Sequence, residues 1–281
     1  MNVGIVGQGF VGSAIREGLK DFHKVRTYDI KSELGNCNNI NELIEASKII
    51  FVCVPTPMRK DGSCDTRIIS KAVKDIDVVA SQLGDKKVLI VKSTVPPGTT
   101  HKLSSECNSV DILFSPEFLT EANSFEDFKN QTRIILGGRE ESALIVEQMF
   151  REVFPEIPIV KTDTKTAETI KYFTNCFLST KVSFANEFKQ VCDSLEVQYD
   201  EVIEYALHDK RLGRSHWSVP GPDGDYGFGG HCFPKDLKAM LSIANDFGIQ
   251  TTMLQATWDK NNEVRSDKDW EKMSGRAVSD D

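Results

Sequence analysis

The sequence predicts an α/β fold, a doubly wound parallel sheet followed by an all-helical domain, and three observations predict it. Short apolar runs rich in β-branched residues recur at 2–6, 25–28, 49–54, 88–91, 112–114 and 133–136, with helical stretches and turn residues between them. The runs are apolar throughout rather than alternating, as in strands buried on both faces of a parallel sheet. After Asp163 the chain runs without Gly or Pro to Ser194, which predicts a helix from 165 to about 194. Such a helix is about 45 Å long and would form the spine of the second domain.

Each element follows from local chemistry. Asp163 or Thr164 supplies the oxygen that caps the spine helix. The segment 154–160 carries Pro155 and Pro158, which cannot donate to a sheet ladder, so it reads as a last edge strand or a linker. The domain boundary is placed there, giving domains 1–160 and 161–281. Further helices are expected at 199–208, 237–247 and 251 to about 270. Residues 214–233 read as a long irregular loop rich in glycine, and the chain after Arg265 as a charged, frayed tail.

Composition removes several classes of function. The net charge of −8 makes nucleic acid a poor partner. No apolar run approaches the roughly 18 residues of a membrane span. The N-terminus enters the first strand run at once with no secretory leader before it, so a cytoplasmic protein is expected. The seven cysteines are odd in number and form no C-x-x-C pair, which argues against a disulfide framework and against a zinc site, and no metal is expected.

The motifs then point to chemistry. Gly7-Gln8-Gly9-Phe10-Val11-Gly12 follows a strand and opens a helix, with Asp29 at the end of the next strand. This is the glycine pattern of a Rossmann-like dinucleotide site: a tight turn, a close approach of the pyrophosphate to the backbone, and a carboxylate for the adenosine ribose. A carboxylate at Asp29 favours NAD over NADP. The stretches Val54-Pro55-Thr56-Pro57 and Ser93-Thr94-Val95-Pro96-Pro97-Gly98 lie at other carboxyl ends of strands, where such sheets bind ligands. In Ser115-Pro116-Glu117-Phe118-Leu119-Thr120-Glu121 two carboxylates stand four residues apart and would point the same way on a helix. Lys171 and Asn175 share one face of the spine helix, flanked by Phe173, Phe177 and Leu178. An apolar cleft there would draw in the lysine as an oxyanion or alkoxide partner. In Gly227-Phe228-Gly229-Gly230-His231-Cys232-Phe233-Pro234-Lys235-Asp236, a cysteine follows a glycine run and precedes a lysine and an aspartate, the surroundings of an activated nucleophile.

Taken in order, these motifs resemble the UDP-glucose 6-dehydrogenase and GDP-mannose dehydrogenase family from residue 3 to about residue 260. The resemblance implies an NAD-dependent four-electron oxidation of a nucleotide-sugar C6 alcohol to the carboxylate, UDP-glucose to UDP-glucuronate being the expected case. It implies that Cys232 captures the aldehyde as a thiohemiacetal that becomes a thioester, with Lys171 and Asn175 stabilising the negative oxygen. Asp236, Thr94 and Glu117 resemble the family's water-handling and proton-transfer set. Thr56, Thr94, Glu121 and Lys235 join the glycine turn and Asp29 around NAD. The substrate would meet Glu117, Phe118, Leu119, Glu121, Lys171, Asn175 and Gly229. Arg211 matches an arginine that reaches a neighbouring subunit's site, which implies a homodimer through the long helix. His231 stands where many relatives have Ser or Tyr, and the loop 219–224 is longer than in many of them. Typical members continue into a further Rossmann-like domain, and the polar end Ser279-Asp280-Asp281 reads as that of a natural short form. Two other readings stay open: a two-electron β-hydroxyacid dehydrogenase, which needs no cysteine, and a non-catalytic NAD-binding subunit or sensor.

Overall fold

In a computed structural model, which describes residues 1–280, the chain packs as two compact units, one of Met1–Thr56 with Thr66–Lys171, the other of Pro57–Asp65 with Tyr172 onward. The expected boundary at residue 160 precedes this division. The first turns of the spine helix lie in the first unit because Ala167 and Ile170 pack into the sheet core.

The first unit is built on seven strands: β1 (Asn2–Val6), β2 (Lys24–Tyr28), β3 (Ile49–Val52), β4 (Lys87–Val91), β5 (Val110–Phe114), β6 (Ile134–Gly137) and β7 (Ile159–Thr162). They lie in the order β2-β1-β3-β4-β5-β6-β7. Consecutive residues of β3 enter opposite cores: Ile49 and Phe51 one, Ile50 and Val52 the other. This is why the strands read as unbroken apolar runs. Each such side chain contributes about 1.5–3 kcal/mol of burial.

Helices α1 (Phe10–Leu19), α2 (Ile40–Ala46), α3 (Arg67–Leu83), α4 (Thr99–Glu106), α5 (Ser124–Lys129) and α6 (Glu140–Val153) connect the strands. The sheet is not wholly parallel, since β6 runs antiparallel to β5 through the pair Phe114 and Gly137. β7 resolves the edge-strand question: it pairs parallel with β6 and begins just past Pro158.

α7 (Thr164–Ser194) is the expected spine helix. Asp163 caps it, its carboxylate accepting from the Thr166 backbone N–H at 2.9 Å and from the Thr166 hydroxyl. The second unit adds α8 (Tyr199–Ala206), α9 (Phe233–Asp246) and α10 (Thr252–Val264). Two of these differ from expectation. α9 starts at Phe233 rather than 237, because Pro234 sits in its first turn, where a missing N–H costs nothing. α10 ends at Val264, and the residues beyond it are not frayed. They form a 3₁₀ turn at Asp269–Lys272, bury Trp270 against Trp258, and bridge Val278 to Met58. Among the described residues, no helix is long and apolar enough to cross a membrane.

Candidate active site

In the first unit the carboxyl ends of β1 to β4 carry the expected cofactor residues apart from Glu121, which follows β5, and Lys235, which lies in α9 of the second unit. Gly7 has φ +90°, and a β-carbon there would stand 2.6 Å from the Cys53 carbonyl oxygen. A β-carbon on Gly12 would collide with the Gly7 carbonyl, whereas above Gly9 the space is open. The turn is therefore tight at its first and third glycines and uncovered at the second, where a pyrophosphate approaches. Phe10 and Val11 open α1, whose N-cap residue Gly9 has no side chain, and the N-terminus of a helix favours an anion. Asp29 accepts from the Gln8 N–H at 2.7 Å and the Lys31 N–H at 2.9 Å, which fixes its carboxylate beside the turn. Thr56 and Thr94 are buried, the Thr56 hydroxyl donating to the Thr94 carbonyl at 2.7 Å. These residues fit NAD.

Beyond β5 the same unit buries a charged cluster. Lys171 Nζ donates to the Glu117 carboxylate at 2.9 Å and to the Glu117 carbonyl at 2.7 Å. The Leu119 N–H donates to the other carboxylate oxygen at 2.7 Å, so it is engaged within the loop. Burial pushes the Glu117 carboxyl up, but the charge and hydrogen bond of Lys171, with help from Leu119 and Lys92, leave it below its usual value. Lys92, which the sequence reading passed over, is the second buried cation. Its ammonium donates to the Pro116 carbonyl at 3.1 Å and the Ser115 hydroxyl at 3.3 Å, and burial pulls it down to about 8. Phe118 lies between Arg133, 4.3 Å from its ring centre, and Lys171 at 5.6 Å. Lys92, Glu117, Phe118 and Leu119 line a cavity of about 250 Å³.

Two sequence expectations about this cluster change. Residues 116–123 are not helical, so Glu117 and Glu121 do not face one way: Glu117 is buried and Glu121 exposed. The Glu117 carboxylate turns the chain back by taking the Leu119 N–H, which a helix would have used otherwise. Nor do Phe173 and Phe177 form an apolar cleft for Lys171. Both are exposed and stack on each other, and it is Glu117 that draws the lysine inside.

In the second unit Cys232 is the N-cap residue of α9, and Asp236 lies one turn on, its N–H donating to the Cys232 carbonyl at 3.0 Å. Asp236 is buried and accepts from Asn175 Nδ2 at 2.6 Å and from Lys235. Burial alone would pull Lys235 down, but Asp236, Cys232 and Cys64 together hold it above its usual value. Burial pushes the Cys37 thiol up, Cys64 and Cys107 up to about 11, and Cys53 and Cys176 up to about 12. Such thiols are protonated and inert near neutrality.

Arg211 stands apart from this cluster, exposed and paired with Asp209. Lys181 holds its turn, donating to the carbonyls of Leu212 and Gly213 while its ammonium sits 4.4 Å from the Trp217 ring centre. Gly229 packs against Arg265 and Asp269. Sequence reasoning missed Lys92, Glu168, Arg265 and Asp269. The signal for Lys92 was a lysine inside the apolar stretch 88–95, and the others carried none. Among the described residues, no group of three or more His, Cys, Asp or Glu is placed to hold a metal ion.

Comparisons with known proteins show which family the chain resembles. The NAD binding domain of the UDP-glucose/GDP-mannose dehydrogenase family matches residues 23–157, and the family's central domain matches residues 165–263. UDP-glucose 6-dehydrogenase TuaD of Bacillus subtilis (strain 168) is 34% identical over 255 residues, covering 88% of this chain and 53% of the relative. The chain thus spans about half the length of that relative. A UDP-glucose dehydrogenase structure from Pyrobaculum islandicum superposes with a TM-score of 0.86 at 28% identity, covering 93% of this chain and 68% of that one. A 3-hydroxyisobutyrate dehydrogenase of Mycobacterium tuberculosis shares the fold at a TM-score of 0.71 and 14% identity, covering 93% and 92% of the two chains. The cofactor is NAD. Matched in both domains, the chain belongs to the UDP-glucose/GDP-mannose dehydrogenase family.

Proposed function

We propose that the protein oxidises the C6 alcohol of a nucleotide sugar to the carboxylate, UDP-glucose to UDP-glucuronate being the favoured case. The observation that carries the reading is Cys232 at the N-terminus of α9, with Lys235 and the Asn175–Asp236 pair in and beside the helix's first turn. NAD, when bound, supplies the hydride acceptor for each two-electron step. Lys171, anchored on Glu117, stabilises the alkoxide that forms as the alcohol gives up its proton to solvent water, and loss of the first hydride leaves the aldehyde. The aldehyde carbon is then attacked by the Cys232 thiolate, whose charge the helix N-terminus and the Lys235 ammonium favour, and the oxygen takes a proton to give a thiohemiacetal. Loss of a second hydride and of the hydroxyl proton leaves a thioester. Water, deprotonated by Asp236, displaces the thiol and releases the uronate.

The proposal includes a homodimer through α7, with Arg211 reaching the neighbouring site. Cytoplasmic location is part of the same reading. Purified protein incubated with NAD and UDP-glucose, GDP-mannose or N-acetylated analogues should yield about two NADH per sugar consumed. Cys232→Ser should lose uronate formation, and wild-type turnover in that variant would sink the mechanism. One NADH per small hydroxyacid, indifferent to thiol alkylation, would favour the β-hydroxyacid reading. Tight NAD binding with no turnover would favour a sensor.

A further inference from the structure

The loop that leads to Cys232 has little regular structure of its own, and side chains from elsewhere in the second unit hold its backbone. The Gly227 N–H donates to Asn186 Oδ1 at 3.1 Å. Asn261, fully buried, accepts from the Phe228 N–H at 2.7 Å and donates to the Phe228 carbonyl at 3.0 Å. The Gly230 N–H reaches both oxygens of Asp269, at 3.1 and 3.0 Å. Arg265 backs this carboxylate. It is buried, donates to the Asp267 carbonyl at 2.8 Å, and pairs with Asp223 at 2.7 Å and Asp269 at 3.4 Å. A β-carbon on Gly229 would collide with both the Arg265 guanidinium and the Asp269 carboxylate, so the two side chains press directly on the glycine backbone.

We infer that Asp269 is a positioning residue for Cys232: held by Arg265, its carboxylate fixes the Gly229–Gly230 turn that delivers the thiol to the N-terminus of α9. The inference rests on the reading of Cys232 as the nucleophile. Asp269 lies beyond residue 263, where the family's central-domain match ends. Gly230 has φ +70° and open space where a β-carbon would stand, so no side chain packs on that side of it, and the charged acceptor on its N–H restrains it. Asp269 acts through the backbone and touches no reacting atom.

The test compares the full-length wild type with Asp269→Ala, Asp269→Asn and the control Lys272→Met, which breaks an exposed pair with Asp267 and leaves the Asp269 carboxylate and its hydrogen bonds in place. Amide hydrogen exchange over 227–236 and the rate of Cys232 alkylation by iodoacetamide are both read from pH 6 to 9. Asp269→Ala should speed exchange at 229–232 by about tenfold, with 237–246 unchanged, as loss of one charge-assisted bond allows. It should also shift the alkylation rate by about threefold or more. Asp269→Asn, which keeps an acceptor oxygen but loses the charge, should fall between wild type and the alanine variant, and Lys272→Met should stay close to wild type. If nucleotide-sugar oxidation is present, Asp269→Ala should lower kcat by about tenfold and leave the KM for NAD unchanged. A wild type that oxidises no nucleotide sugar defeats the proposed function, while exchange and alkylation still decide the role of Asp269. Wild-type exchange in Asp269→Ala overturns the inference, as does loss of protection spread evenly through α9 and α10, or an Asp269→Asn variant as loose as the alanine.

Discussion

Asn175 and Asp236 meet at 2.6 Å with both side chains buried, and the same carboxylate takes the Lys235 ammonium. One buried charge thus serves an amide and a cation at once. Asp236→Asn keeps the shape but leaves Lys235 buried without its counter-charge, which should destabilise the protein by about 3–5 kcal/mol. Asn175→Ala should cost about 1–2 kcal/mol. The double variant should lose less than the sum, because the second change removes a bond already broken. Urea unfolding of the four proteins checks this, and strict additivity would mean that the two residues do not act as a unit.

Lys92 gives a pH signature. Its folded-state value is about 8 against the ordinary 10.5, because burial disfavours the ammonium. Below about 8 folded and unfolded chains both hold the proton, and the full cost of the buried charge is present. Between about 8 and 10.5 the folded chain has released it and the unfolded chain has not, so stability rises with pH. The stability of the wild type relative to Lys92→Met should climb by about 3 kcal/mol between pH 7 and pH 10.5. A flat difference would place the ammonium in water.

The sheet was legible because β1, β3 and β4 are buried on both faces, and that burial is written in the chain as apolar runs. The direction of β6 was not, since antiparallel pairing with β5 leaves Ile134 to Leu136 as apolar as a parallel partner would. Asn175 and Asp236 were singled out separately from helical spacing and from the cysteine motif, but their meeting depends on how α9 packs beside α7, which neither stretch encodes locally. Lys92 was hidden because an isolated lysine at a strand end usually reaches solvent, and here Ser115 and Pro116 capture it. Arg265 was read as lying in a helix and Asp269 at the start of a charged, frayed tail. Their purpose appears only when Gly229 and Gly230, some 35 to 40 positions earlier, arrive beside them.

The exposed face of α7 tests the proposed homodimer. Phe173 stacks on Phe177 and Phe184 on Phe188, and all four are exposed, as are Val191 further along the helix and Leu195 just past its end. An exposed aromatic stripe of this kind is what an association surface through α7 would use. The chain should sediment as a dimer, and Phe184→Asp with Phe188→Asp should shift it to a monomer with unchanged NAD affinity. A wild-type chain that sediments as a monomer at micromolar concentration would remove the dimer and the shared role of Arg211.

Glu168 ties the spine helix to the strand end that carries Thr94. Fully buried, it accepts from the Gly98 N–H at 2.5 Å and the Thr100 N–H at 2.8 Å, and so satisfies donors at the start of α4 that no side chain in α4 caps. Glu168→Ala should cost about 2–4 kcal/mol by stranding these donors in the interior. Burial holds the carboxyl above its ordinary value of 4.5, with the bonds from Thr100 and Gly98 opposing in part. A raised carboxyl means that the folded chain binds its proton more tightly than the unfolded one. Stability relative to Glu168→Gln, which cannot titrate, should therefore fall as pH rises from 4.5 through the folded-state value. Because α4 follows directly on the stretch from Ser93 to Gly98, Glu168→Ala should also weaken NAD binding, by about fivefold in a calorimetric titration. Unchanged affinity with the expected loss of stability would confine Glu168 to holding the fold.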